Sequence, residues 1–272
     1  MTVLKKFSLI GKNVVLTGAN GLLGRPFAKA LAEAGANLAL IDQNGAELTS
    51  FAEELKATFK VKCLSYVCDI SDEEQVENTV KKIESDLGLI HVLHNNAATK
   101  SKSLDEFFKP FEDFSLSAWK EITGVNVDGM FLMAKYVGRH MKKNAIKGSI
   151  IQTASIYGVV APDQRIYEGS EYLNRPISSP AIYSVSKAGV IGLSKYLAAY
   201  WGSEGIRVNT LTPGGVQSGQ NETFNRKYSA RVPLGRMAEA SELCGALIFL
   251  ASDASSYVTG QNIIIDGGLS AW

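Results

Sequence analysis

Tyr183 and Lys187 stand four residues apart in Tyr183-Ser184-Val185-Ser186-Lys187, at the head of an apolar run, Ala188 to Trp201, with helical periodicity. That spacing puts both on one face of a helix, one turn from each other. An ammonium beside a phenol favours the phenolate and draws the tyrosine pKa down from ~10 toward working pH. Such a phenol takes a proton from an alcohol or returns one to a carbonyl. By themselves the two residues are more economically an ordinary amphipathic helix, so the rest of the chain must decide.

Near the N-terminus a second chemical unit is legible. Asn13 to Thr17 reads as a strand running into Gly18, Leu22 to Gly35 turns helical, and Leu38 to Ile41 is a second strand ending in Asp42. Gly18, Gly21 and Gly24, with Asn20, Leu22 and Leu23 between them, form a turn whose backbone can approach a pyrophosphate resting on the helix N-terminus. Asp42, 24 residues after Gly18, is placed to accept from both hydroxyls of an adenosine ribose. A 2′-phosphate would face that carboxylate, so NAD is expected in preference to NADP. Arg25 argues the other way, since an arginine near the loop could pair a phosphate, but it follows Gly24 inside the helix.

Strands and helices keep alternating. Helices are expected over Gly45 to Phe59, from a capping box at Ser71-Asp72-Glu73-Glu74 to Leu87, over Trp119 to Met141, Pro180 to Trp201 and Glu239 to Ala251. Strands are expected over Val61 to Val67, Ile90 to Leu93, Gly148 to Thr153, Ile206 to Leu211 and Asn262 to Ile265. The fold class is therefore α/β: a doubly wound Rossmann-type sheet of seven mostly parallel strands covered on both faces, in a single domain spanning 1–272. Asp42, Asp69 with Ile70, Asn95, Ser155 and Pro213-Gly214 all fall at C-terminal strand ends, where open parallel sheets bind ligands. Two irregular stretches, Thr99 to Ser117 and Val159 to Ser179, leave that same edge and are read as substrate walls, the second as an insert around 159–179.

Composition narrows the class. The 272 residues carry a formal net charge of +1, which makes a nucleic-acid partner unlikely on charge grounds. Cys63, Cys68 and Cys244 are too few for a disulfide framework, and no uncharged run approaches the ~18 residues of a membrane span, so a reducing cytoplasm is expected. No metal is expected: Cys63/Cys68 and His91/His94 are odd-spaced and cannot share a strand face. Ser155 lacks the Gly-x-Ser-x-Gly surroundings of a hydrolase nucleophile.

Taken together, the chain resembles the short-chain dehydrogenase/reductase family over nearly its full length. The resemblance is carried by Thr17-Gly18 to Gly24, Asp42, Asp69, Asn95-Asn96-Ala97-Ala98, Asn126 in Asn-Val-Asp-Gly, Ser155 in Ser-Ile-Tyr-Gly, Tyr183 with Lys187, Pro213-Gly214-Gly215-Val216 and Asp266-Gly267-Gly268. It implies a nicotinamide cofactor, a homotetramer or homodimer, and a tetrad of Asn126, Ser155, Tyr183 and Lys187. It also implies cofactor contacts from Asn96, Ala97, Ala98, Pro213, Gly214, Val216 and Ser218, the last standing where the family often has threonine. Three departures stand out: Leu22 in place of a glycine, where it would crowd a pyrophosphate unless the turn shifts; Ala98 for glycine; and a long gap between Ser155 and Tyr183.

The mechanism so implied has Tyr183 as acid–base, Lys187 depressing its pKa and binding the nicotinamide ribose, Ser155 donating to the substrate oxygen, and Asn126 holding a relay water. Acids and arginines in the insert suit a small polar substrate, with Arg165, Tyr167 and Glu168 as candidate contacts. The insert and C-terminus resemble sugar-directed members, gluconate 5-dehydrogenase-like enzymes and flagellin-sugar oxidoreductases among them. An NAD-using epimerase or dehydratase and a nicotinamide sensor without turnover stay open as alternatives.

Overall fold

The computed structural model describes residues 2–272. In chain order the first half contains β1 (Asn13–Thr17), α1 (Gly24–Glu33), β2 (Asn37–Asp42), α2 (Gly45–Phe59), β3 (Cys63–Val67), α3 (Glu73–Leu87), β4 (Val92–Asn95), α4 (Leu104–Phe107), α5 (Leu116–Thr123) and α6 (Met130–Lys143). The second half contains β5 (Ser149–Thr153), a hairpin of β6 (Glu171–Tyr172) and β7 (Arg175–Pro176), α7 (Ala181–Trp201), β8 (Arg207–Pro213), α8 (Glu222–Ser229), α9 (Cys244–Ala251) and β9 (Asn262–Ile265). Seven strands form one parallel sheet in the order β3-β2-β1-β4-β5-β8-β9. The chain winds outward from β1 to β3, then crosses back to β4, so the order reverses between β1 and β4. The C-terminal strand ends open a crevice there.

Alternating side chains feed two cores. Val14, Leu16, Leu38 and Leu40 pack with Phe27, Leu31, Phe51 and Leu247 on one face. Val15, Ala39, Ile41 and Leu93 pack with Val80, Met133, Val137 and Trp201 on the other. Every residue of β1 is buried, as expected of a strand covered on both sides.

Several elements differ from expectation in ways that shape the site. The helix expected from Trp119 to Met141 is three pieces: α5, a π-helical turn Gly124–Gly129, and α6. Gly129 lies so close to Ile70 that an added Cβ would meet its side chain at 2.7 Å, so this turn presses on the loop that follows β3. Asp72, not Ser71, caps α3, accepting from the Gln75 N–H at 3.1 Å. Ser71 instead donates its N–H and hydroxyl to Asp69 at 2.9 and 2.7 Å. The helix expected from Glu239 begins as a 3₁₀ turn, Ala240–Leu243, before α9. β4 runs on through His94 and Asn95, and β8 through Pro213.

The 159–179 insert is ordered by its own hairpin. Leu173 and Asn174, both at positive φ (52° and 58°), make the two-residue turn that suits strand twist. Tyr172 bridges to Gln220, Ser178 Oγ donates to the Phe108 carbonyl at 3.0 Å, and Arg175 pairs with Asp105. The insert and the Thr99–Ser117 stretch therefore clasp each other.

Candidate active site

A cavity of about 1150 Å³ opens along the C-terminal strand ends. A single small-molecule pocket spans roughly 300–1,000 Å³, so there is room for a dinucleotide and a second ligand. At one end lies the glycine turn. Gly18 sits at φ +65°, and a Cβ there would meet the Ala97 Cα at 2.7 Å. Thr17 Oγ1 accepts from the Asn96 and Ala97 N–H groups at 3.0 and 3.1 Å, tying the ends of β1 and β4 together. Gly24 does not line the cavity; a Cβ there would lie 2.0 Å from the Gly18 carbonyl, so this glycine lets α1 start against the turn. No side chain caps α1, and among the described residues neither Leu22 nor Leu23 N–H finds an acceptor. Those free donors at a helix N-terminus are what a pyrophosphate needs. Leu22 itself lines the cavity, 53% exposed, and its backbone avoids positive φ.

Asn20, Gly21, Leu22, Leu23, Asp42, Asp69 and Ile70 line this half, as do Asn96, Ala97, Ala98, Pro213, Gly214, Val216 and Ser218 toward the centre. Asp42 is engaged by its own loop, accepting from the Asn20 and Asn44 N–H groups at 2.9 and 3.3 Å. Arg25 folds back from α1 over the Phe51 ring, 4.1 Å from its centroid, and donates to Asn20 Oδ1 at 3.3 Å. The Ser218 hydroxyl accepts from Gln220 Nε2 at 2.9 Å.

Ser155, Tyr183 and Lys187 line the other half together. Ser155 leaves β5 in extended conformation and opens a 3₁₀ turn, Ile156–Gly158. Gly158 rests on the Lys187 backbone so tightly that a Cβ would come within 2.6 Å of its carbonyl carbon. That contact seats the Ser155 turn on α7. Lys187, 2% exposed, donates to the Thr153 carbonyl at 3.0 Å, and burial pushes its pKa down to about 8. Burial pushes the Tyr183 pKa up, and the Ser155 hydroxyl partly opposes this. The net shift of Tyr183 is thus upward where a downward one was expected: the ammonium is turned to the end of β5, and burial outweighs Ser155.

Asn126 does not line the cavity. It sits fully buried in the π turn, where its Oδ1 accepts from the Thr99 N–H at 2.8 Å and its Nδ2 reaches the Thr99 carbonyl at 3.4 Å. Of the candidate substrate residues only Tyr167 lines the cavity. Arg165 and Glu168 turn outward: Arg165 forms a forked pair with Asp163 at 2.9 and 2.8 Å, and Glu168 lies 3.8 Å from Lys227. Four residues that the reading of the chain did not single out complete the substrate half. Tyr157 and Tyr228 stand with Tyr167 in the wall, and burial raises the pKa of each. The Tyr228 hydroxyl accepts from the Gly215 N–H at 2.6 Å. Lys100 and Tyr172 form the roof, with the ammonium 4.2 Å from the ring centroid. No spacing rule joins these residues, which come from four separate segments.

Comparison with known proteins places this geometry in context. A family model described as enoyl-(acyl carrier protein) reductase matches residues 18–270. The NADP-dependent mannitol dehydrogenase of Hypocrea jecorina is 38% identical, covering 98% of this chain and 95% of that protein. The gluconate 5-dehydrogenase of Gluconobacter oxydans is 33% identical over 97% and 96% of the two chains. The crystal structure of a gluconate 5-dehydrogenase from Burkholderia cenocepacia with NADP and tartrate aligns over 100% of both chains, with a TM-score of 0.87 and 31% identity. These relatives overturn the expectation of NAD over NADP, because the mannitol dehydrogenase is NADP-dependent and the Burkholderia structure holds NADP. At Asp42 two backbone N–H groups engage the carboxylate, and Arg25, set aside because it lies in the helix, donates to Asn20, which lines the cavity.

Proposed function

Because the chain belongs to the short-chain dehydrogenase/reductase family and is a dehydrogenase acting on CH–OH groups, we propose that it interconverts a keto-sugar and the matching polyol or sugar acid, using NADP(H). One observation carries the reading: Ser155, Tyr183 and Lys187 meet in the same cavity as a glycine turn with free N–H donors. The turn from Gly18 to Leu23 would hold the pyrophosphate, and Asn96 to Ala98 with Pro213 to Val216 would flank the rest of the cofactor. NADP(H) supplies or accepts the hydride when bound there.

The chain's own residues manage the proton. Burial keeps the Tyr183 hydroxyl protonated, ready to donate to a carbonyl oxygen that gains charge during reduction. Ser155 donates to the same oxygen and stabilises its charge. Lys187, fixed on the Thr153 carbonyl, stands one turn away as the cation that favours the Tyr183 phenolate once the proton has left. Asn126 positions Thr99 and so keeps the loop after Ala98 against the crevice.

The proposal takes the whole chain as one catalytic domain, working as a homotetramer in a reducing cytoplasm. Free cysteines and the exposed Val185, Tyr196 and Tyr200 of α7 support that setting. No described helix is long and apolar enough to cross a membrane.

The test is loss of NADPH absorbance on incubation with fructose, sorbose, ribulose and 5-ketogluconate, with NADH in parallel. Reduction of at least one ketone with NADPH preferred is expected. NADPH binding without turnover on any of them would overturn the proposal.

A further inference from the structure

We infer that the substrate carries a terminal anionic group, a carboxylate or a phosphate, and that Lys100 binds it beside the ring of Tyr172 at the cavity roof. The inference rests on the keto-sugar reading and names the class of sugar it requires.

Lys100 follows directly on the loop that Asn126 holds through Thr99, and it lines the cavity that contains Ser155 and Tyr183. Its ammonium lies 4.2 Å from the centroid of the Tyr172 ring, and among the described residues it has no carboxylate partner. The neighbouring acids are committed elsewhere. Asp105 pairs with Arg175, and Glu121 accepts from the Ser101 hydroxyl and the Lys102 N–H at 3.2 and 3.0 Å. Lys100 is exposed to the open cavity on one side, and the protein on its other side lowers its pKa. A ligand that fills the cavity removes the remaining water, and a ring face returns only part of what the ammonium then loses. An anion arriving at this point restores the balance, whereas a neutral hydroxyl does so no better than water.

Position is as well defined as charge. Tyr172 belongs to the hairpin that bridges to Gln220 and is pinned by the Arg175–Asp105 pair, so the platform under the ammonium is anchored at two places. The distribution of charge along the cavity agrees. Asp42, Glu47 and Asp69 line the end beside β2 and β3, while Lys102 and Lys120 line the cavity with Lys100, form no ion pair among the described residues, and outnumber Glu121, the acid that lines the cavity with them. A sugar with its ketone at Tyr183 and its anionic end at the roof fits this polarity.

The experiment compares wild type, Lys100→Met and Lys100→Arg with fructose (neutral), 5-ketogluconate (carboxylate) and fructose 6-phosphate (phosphate), NADPH being the reductant. Wild type should prefer one anionic ketose over fructose in kcat/KM, and the better anion identifies the group. Lys100→Met should lower that preference ratio about 10- to 100-fold, through KM, as expected for loss of a hydrogen bond to a charged group. Lys100→Arg should recover most of it. A wild-type preference for fructose, an equal loss on all three ketoses, or a rise in the NADPH KM would overturn the inference; the last would assign the ammonium to the cofactor. Calorimetric binding of gluconate to wild type and Lys100→Met gives the same comparison without turnover. Failure of every ketose to react would therefore count against the keto-sugar reading alone.

Discussion

Lys187→Met removes a buried ammonium that has one polar partner, the Thr153 carbonyl at 3.0 Å. Burial lowers the Lys187 pKa from 10.5 to about 8, which corresponds to about 3 kcal/mol spent on keeping the side chain charged at pH 7. Methionine fills a similar volume without that cost but leaves the Thr153 carbonyl without its donor, a loss of about 2 kcal/mol. The variant should therefore be inactive yet more stable at pH 7, by about 1 kcal/mol, raising Tm by about 2–4 °C for a chain of this size. The pH profile is the sharper readout. Between pH 8 and 10.5 the unfolded chain holds the Lys187 proton and the native protein has released it, so wild-type stability rises with pH across that window. Lys187→Met lacks this gain, and the order of stabilities should reverse toward pH 10, with wild type ahead by about 2 kcal/mol once the gain is complete. Urea titrations from pH 7 to 10, followed by tryptophan fluorescence, measure both curves. Parallel curves, or a variant less stable than wild type at pH 7, would refute the account of Lys187 as a buried cation held at a cost to the fold.

Tyr183→Phe should reduce kcat/KM at least ~10²-fold while NADPH still binds, as read by quenching of protein fluorescence; wild-type turnover in this variant would remove Tyr183 from proton transfer. Gly24→Ala places a Cβ 2.0 Å from the Gly18 carbonyl, so it should destabilise the protein by about 1–3 kcal/mol and weaken NADPH binding by opening the turn. Thermal melts with and without NADPH would show both effects. Arg165→Ala should leave KM for the ketone within about twofold, since its forked pair with Asp163 faces away from the cavity and exposed pairs contribute ~0–1 kcal/mol. A larger rise in KM would mean that the insert rearranges around substrate.

Much of this protein is local and therefore legible along the chain. Burial of both sheet faces forces near-continuous apolar strands such as Val14-Val15-Leu16, and the helices between them keep their own apolar periodicity, α3 with an Asp72 cap besides, so the alternation of elements reads directly. Gly18, Asp42, Ser155, Tyr183 and Lys187 are recognisable because strand ends and helical spacing determine where each must stand. What the chain does not disclose depends on contacts between distant segments. Tyr183 and Lys187 share a helix face, but whether the amine acidifies the phenol depends on Thr153, which draws the ammonium toward β5. The charge of Asp42 is plain from sequence, whereas the N–H groups of Asn20 and Asn44 and the returning Arg25 that engage its surroundings appear only on folding. Arg165 and Glu168 looked suited to a polar substrate by composition, and the turn of the insert points them to solvent. Lys100, Tyr157, Tyr172 and Tyr228 reach the cavity from four segments, because the hairpin and the loop after β4 close on each other. Residue type and spacing therefore settle which chemistry is present, while the direction each side chain faces, and hence its protonation and its ligand, follows from tertiary packing.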